Sequence, residues 1–154
     1  MNILVAMDSL KGSLSSFEAN KAIAEGFSAV SSDFNILTIP IADGGEGTVE
    51  ALVHATNGQF IEKFVTGPLG HPVNARFGIL GDRKTAVIEI AEACGLPLLS
   101  VEKRNPLFTT SFGVGELILE AAVEQGCHEI IVGLGGSATN DAGVGMLQAL
   151  GYQF

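Results

Sequence analysis

The apolar run Glu129 to Leu134 passes straight into the glycine-rich segment Gly133 to Gly145, which opens a helical pattern at Met146, Leu147 and Leu150 closed by Gly151. A strand that hands over to a helix through glycines is the building unit of α/β domains, and it restricts the fold more than any other stretch of this chain. The opposite end repeats the theme. Ile3 to Ala6 reads as a buried parallel strand that leads through the polar loop Asp8 to Ser16 into a helix. Ser15 and Glu18 form an S-x-x-E capping box, a cap worth about 1 kcal/mol, and Ala19, Ile23, Phe27 and Val30 recur on one helical face. Phe34 to Ile41, broken by Pro40, reads as a second strand, followed by the loop Ala42 to Gly47 and a helix from Thr48 to about Thr56.

Between these ends the pattern changes to short apolar runs, Phe60 to Val65, Val73 to Leu80 and Ala86 to Ile90, separated by Gly67-Pro68, Gly70-His71-Pro72 and Gly81-Asp82. Connections that short predict antiparallel pairing in a separate mixed-sheet lobe. Ser111 to Gln125 then places Val114, Leu117, Ile118, Ala121 and Ala122 on one stripe, with Gly126 at the C′ position. The expected fold is a doubly wound α/β domain interrupted by a smaller lobe. The last residues, Tyr152-Gln153-Phe154, fall where such a unit would begin its next strand, which reads as truncation or a domain-length piece.

Composition narrows the partners. A net charge of -9 opposes the counterion release that drives binding to nucleic acid or anionic lipid, and neither is an expected partner. Cys94 and Cys127 lack a C-x-x-C spacing and His54, His71 and His128 form no ligand pattern, so the expectation is two reduced, partly buried thiols and no zinc. The apolar start Asn2 to Ala6 is too short for a signal peptide and lacks a basic leader, and no run reaches the roughly 18 apolar residues of a membrane span. A cytoplasmic location is the simplest expectation.

Three loops carry candidate chemistry. Gly133, Gly135, Gly136, Gly143 and Gly145 flank Ser137, Thr139, Asn140 and Asp141, and glycines at a helix start let backbone amides approach an oxyanion. A tight turn with an Asx cap would have the same composition. Gly133, Gly135 and Ala138 also satisfy a loose dinucleotide fingerprint, but no Asp or Glu follows Asp141, so the acidic ribose anchor is missing, and no Walker A lysine is present. The second loop, Pro40 to Thr48, holds Asp43 and Glu46 among Gly44, Gly45 and Gly47, where carboxylates could coordinate magnesium or take a proton from a hydroxyl. The third, Asp8 to Ser16, offers Lys11 beside Gly12 and Ser13 as an anion clamp in a chain with only eight Lys and Arg. All three are expected at one edge of a single parallel sheet.

DSLKGSLSS, PIADGGEGT, EACGLP from Glu92 to Pro97 and IVGLGGSATNDAGVGMLQALG resemble, in order and spacing, the motifs of glycerate kinase type I. The resemblance implies a flavodoxin-like domain with a second lobe inserted: residues 1–58 and 109–154 would belong to the first and 59–108 to the second. It implies magnesium-dependent transfer of the ATP γ-phosphoryl group to D-glycerate, with 2-phosphoglycerate the expected product and a second copy of the chain a candidate partner. Gly44, Gly45, Glu46, Thr48, Gly135, Gly136, Ser137, Thr139 and Asn140 would then bind phosphate or substrate. Lys11 would neutralise transferring charge, and Asp43, with Asp8 or Asp141, would hold magnesium or activate the hydroxyl. Family chains are more than twice as long and continue to an ITGEGR-like motif that does not occur here, and Ala142 stands where the family has glycine. A catalytically incomplete fragment and a dinucleotide-dependent oxidoreductase are the alternative readings.

Overall fold

The structure, a computed structural model, describes residues 1–154. Strands β1 (Asn2–Val5) and β2 (Asn35–Thr38) pair in parallel, Asn2 opposite Asn35, with helix α1 (Ser16–Val30) as the crossover between them. Both halves of the Ser15 capping box form: the Ser15 hydroxyl accepts from the Glu18 amide, and Glu18 Oε2 accepts from the Ser15 amide at 2.9 Å. The stripe expected on α1 is only partly inside. Ala19 is buried, whereas Phe27 is 38% and Val30 77% exposed, because a sheet of two four-residue strands is too narrow to cover four turns of helix.

Helix α2 (Thr48–Thr56) leads into a second, four-stranded sheet with the order β3 (Gln59–Thr66), β4 (Pro72–Ile79), β5 (Thr85–Glu89), β6 (Glu129–Gly133). The three central runs pair antiparallel as their short turns predict, Gln59 opposite Ile79 and Gly78 opposite Val87, while β6 lies parallel to β5. The last strand takes a neighbour that the alternation did not indicate: β6 is hydrogen-bonded to β5 from Thr85–Glu129 to Glu89–Gly133 and continues the mixed sheet rather than joining β1 and β2. Alternation alone cannot tell which neighbour a buried parallel strand will choose.

The core lies between that sheet and helix α4 (Phe112–Leu119), where Phe77, Ile88 and Leu117 are fully buried among Val65, Ala75, Val114 and Ala121. The helix predicted to run to Gln125 changes after Leu119 into a π-helical turn, Glu120–Glu124, and Gly126 closes it at φ 69°. On the opposite face α2 seats Val49 and Val53 against Val87, so closely that a Cβ on Gly78 would collide with the Val53 side chain. This contact ties the segment before α2 to the mixed sheet. The helix after β6 is short, α5 (Val144–Ala149), and between them Ala142 adopts φ 53°. A non-glycine residue in the left-handed region costs about 1–2 kcal/mol, partly offset in the unfolded chain. Ala142→Gly is therefore expected to raise stability by about 0.5–1 kcal/mol, read as a higher thermal midpoint.

Candidate functional site

The loop after β1 is held rigidly at its base. Ser16 Oγ and Asn20 Nδ2 both donate to the Met7 carbonyl, at 2.6 and 3.0 Å, and the Met7 amide donates back to Asn20 Oδ1. Asn20 is 1% exposed, and its polar atoms find all these partners inside the protein. Above that base Leu10 and Leu14 bridge, Ser13 donates to the Leu10 carbonyl at 2.8 Å, and Gly12 takes φ 74° at the third position of the turn, where glycine is favoured. Lys11 sits at the exposed tip with no ion pair. Asp8 accepts from the neighbouring Ser9 amide at 2.6 Å and stays at the loop's entrance.

The second loop is organised by its own side chains. Asp43 Oδ1 accepts from the Gly45 amide at 3.2 Å, and Thr48 Oγ1 accepts from Gly44 at 3.1 Å while donating to the Gly45 carbonyl. These bonds give Gly44, Gly45 and the buried Thr48 structural duties, whereas Asp43 and Glu46 remain exposed. The amides of Glu46 and Gly47, just before α2, donate to no protein group. The next available donor, the Val49 amide, is taken by Glu89 Oε1 at 2.8 Å, from the end of β5.

The third loop does meet the second, although the strands before them lie in different sheets. Gly135 donates to the Gly44 carbonyl at 2.9 Å, and a Cβ on Gly135 would collide with the Gly45 Cα. Glycine is required there by the close passage of two backbones. Further on, Leu96 donates to Gly136 O and Ala138 to Cys94 O, both at 2.9 Å, which pins Gly136 to Ala138 beside the end of helix α3 (Ile90–Cys94). Ser137 and Thr139 exchange a hydroxyl contact at 2.9 Å, leaving the Gly136 and Ser137 amides free of protein acceptors.

Two expectations for this loop fail. The helix-start cradle is already filled by the protein's own carboxylate: Asp141 Oδ2 accepts from Ser111 N, Ser111 Oγ and Gly145 N at 2.8–3.1 Å, and Oδ1 accepts from Gly143 N at 3.1 Å. Burial pushes the Asp141 carboxyl upward, but the hydrogen bonds from Ser111, Gly145 and Gly143 outweigh it and hold the group below its ordinary value. Three of these four bonds fall on Oδ2, so the protein's own donors saturate that oxygen, while Oδ1 carries only the bond from Gly143. No three His, Cys, Asp or Glu side chains, Asp8, Asp43 and Asp141 included, converge as metal ligands. The dinucleotide pattern fails as well, because Ser137 bridges to Gly95 and the helix starts only at Val144, whereas pyrophosphate binding requires a helix that opens within the glycine turn.

A polar cleft of 410 Å³ opens where the first two loops face the mixed sheet. Lys11 and Glu46 line it with three residues to which sequence reasoning gave no role: Arg76 on β4, Glu89 at the end of β5 and Glu92 on α3. Glu89 is only 6% exposed. Burial pushes its carboxyl above the ordinary range and Glu92 adds to this, against the opposing pull of the Val49 amide and Arg76. The signal was present, since a glutamate inside the buried run Ala86 to Ile90 needs a reason to be there. Across α3 lies a second, mostly apolar groove of 420 Å³, lined by Ile90, Val114, Ile118, Val132 and Met146 with Thr139 and Asn140 at its polar side. Cys94, also lining that groove, and Cys127 are buried free thiols, both raised by burial. No helix is long and apolar enough to cross a membrane.

Comparison with known proteins gives one consistent result. The family model described as the glycerate kinase family matches residues 3–154. The chain is 58% identical over 151 residues to a glycerate kinase of Bacillus subtilis, covering 98% of this chain and 39% of that protein. It is 57% identical, again over 98% of its length, to a glycerate 2-kinase of Escherichia coli. A crystal structure of a putative glycerate kinase 2 from Salmonella typhimurium superposes with a TM-score of 0.85 at 54% identity, covering 98% of this chain and 40% of that one. The chain thus spans about 40% of the length of these relatives.

Proposed function

Since the chain belongs to the glycerate kinase family, we propose that it carries the acceptor side of a kinase that transfers the ATP γ-phosphoryl group to a hydroxyl of D-glycerate, giving 2-phosphoglycerate. The observation that carries this reading is the polar cleft, in which a rigidly based lysine loop faces the unpaired amides before α2. Phosphoryl transfer needs positioning and charge neutralisation more than covalent chemistry, and those are what the cleft offers.

Lys11 supplies a cation at a fixed turn, placed to meet charge that builds on the transferring group. The Glu46 and Gly47 amides, with the positive end of the α2 dipole, provide neutral donors for phosphate oxygens. Magnesium fits this donor set as an ion held by one or two carboxylates and otherwise by phosphate and water, with Asp43 and Glu46 the exposed carboxylates that would reach it. When bound with ATP it neutralises phosphate charge. The Gly136 and Ser137 amides, with Thr139 and Asn140, stand as the contacts for the nucleotide side, next to an apolar groove of the size a nucleobase-bearing ligand occupies. The β1–α1–β2 unit is the part that we assign to a flavodoxin-like domain.

The test is a coupled assay of ADP release by the purified chain with magnesium, ATP and D-glycerate, run beside calorimetric titration of D-glycerate. Release of ADP that depends on D-glycerate is the expected result. Coverage of only about 40% of the relatives favours one second reading, a binding portion without turnover, for which titration shows saturable D-glycerate binding and the assay stays silent. Absence of both signals contradicts the assignment.

A further inference from the structure

The polar cleft contains five glutamates, Glu18, Glu46, Glu50, Glu89 and Glu92, but only two cations, Lys11 and Arg76. An anionic acceptor entering such a place needs a directed cation, since the average field there repels it. Arg76 has the geometry for it. It stands on β4 between the buried Ala75 and Phe77, so its own side chain points away from the core and toward the cleft. Its guanidinium carbon lies 5.1 Å from the centre of the Phe60 ring, and Nε lies 3.7 Å from Glu92 Oε1. Glu92 Oε2 meanwhile accepts from the Arg76 backbone amide at 3.1 Å, so one carboxylate holds both the strand and the side chain. The two terminal nitrogens donate to no protein acceptor. A flat guanidinium, fixed on one face by an aromatic ring and at Nε by a carboxylate, presents a free two-toothed edge that matches a carboxylate.

We propose that Arg76 binds the carboxylate of the hydroxy-acid acceptor and is the residue that makes the cleft select an acid over an uncharged polyol or amide, with Phe60 and Glu92 as positioning residues. This inference rests on the kinase reading above and specifies how its acceptor is recognised. Lys11 is left for the phosphoryl end, and the two cations divide the two charges that the cleft must hold.

The experiment measures dissociation constants of D-glycerate and of D-glyceramide, its uncharged analogue, for the wild-type chain, Arg76→Gln and Arg76→Lys, with circular dichroism melts of each. Loss of a charge-assisted pair predicts that Arg76→Gln weakens D-glycerate binding about 10- to 100-fold and leaves D-glyceramide within about twofold, so the preference for the acid disappears. Arg76→Lys keeps the charge, loses the fork and recovers only part of that preference; it also serves if the glutamine variant melts early. An unchanged acid-to-amide ratio in either folded variant overturns the role of Arg76 while the kinase reading stands. Wild-type protein that binds neither compound overturns the reading beneath it.

Discussion

Lys11→Met lowers D-glycerate-dependent ATP turnover about 10²- to 10³-fold, the loss expected when one preorganised donor is removed from developing negative charge. The fold should not register the change. Lys11 is exposed, has no ion pair and stands on a turn that is closed by backbone bonds between Leu10, Ser13 and Leu14. Its thermal midpoint is therefore expected to stay within about 1 °C of the wild type, since surface positions of this kind rarely move stability by more than about 0.5 kcal/mol. If the chain binds D-glycerate and ATP without turnover, the same substitution weakens nucleotide binding and spares D-glycerate. Undiminished turnover and undiminished nucleotide binding would remove Lys11 from the site.

Asp141→Ala has the opposite signature, a large loss of stability. The substitution strands the Ser111, Gly143 and Gly145 amides and the Ser111 hydroxyl in a partly buried turn. Losing several hydrogen bonds to one charged acceptor costs about 2–4 kcal/mol, a drop on the order of 10 °C in thermal midpoint for a chain of this length. The pH dependence gives a second check. Because the folded carboxyl lies below its ordinary value, its contribution is complete above the unfolded Asp value of about 3.9 and is lost as pH falls through the folded value. Wild type and variant should differ fully at pH 7 and converge under stronger acid. Equal stability at pH 7 would show that the turn does not depend on Asp141.

The local elements were legible because their signals are local. The Ser15–Glu18 box, the helix from Thr48 to Thr56, the antiparallel runs and the left-handed Gly126 all follow from spacing and torsion preferences of neighbouring residues. What was not legible depends on tertiary choice. β6 could have paired beside β1 and instead continues from β5, which breaks the single parallel sheet expected to gather the loops. The loops nevertheless meet, by the Gly135–Gly44 bond and by the packing of α2 on Gly78. Lys11 and Glu46, singled out in the sequence, both line the polar cleft, whereas Arg76, which lines it with them, looks like an ordinary solvent-facing position in the alternation along β4. Asp141 stayed open to two readings, since an Asx cap and a catalytic aspartate in a glycine loop look the same until their hydrogen bonds are counted.

On the kinase reading, acceptor and transferring phosphate meet in the cleft bounded by the Lys11 turn, the start of α2 and Arg76. Amide chemical-shift mapping of the isotope-labelled chain, titrated with D-glycerate, magnesium and a non-hydrolysable ATP analogue, tests it most directly. D-glycerate shifts are expected to concentrate at Arg76 and Glu92, and the nucleotide is expected to add Lys11 to Ser13, Glu46, Gly47, Gly136, Ser137, Thr139 and Asn140. D-glycerate shifts confined to the apolar groove across α3, with Arg76 unmoved, would contradict it.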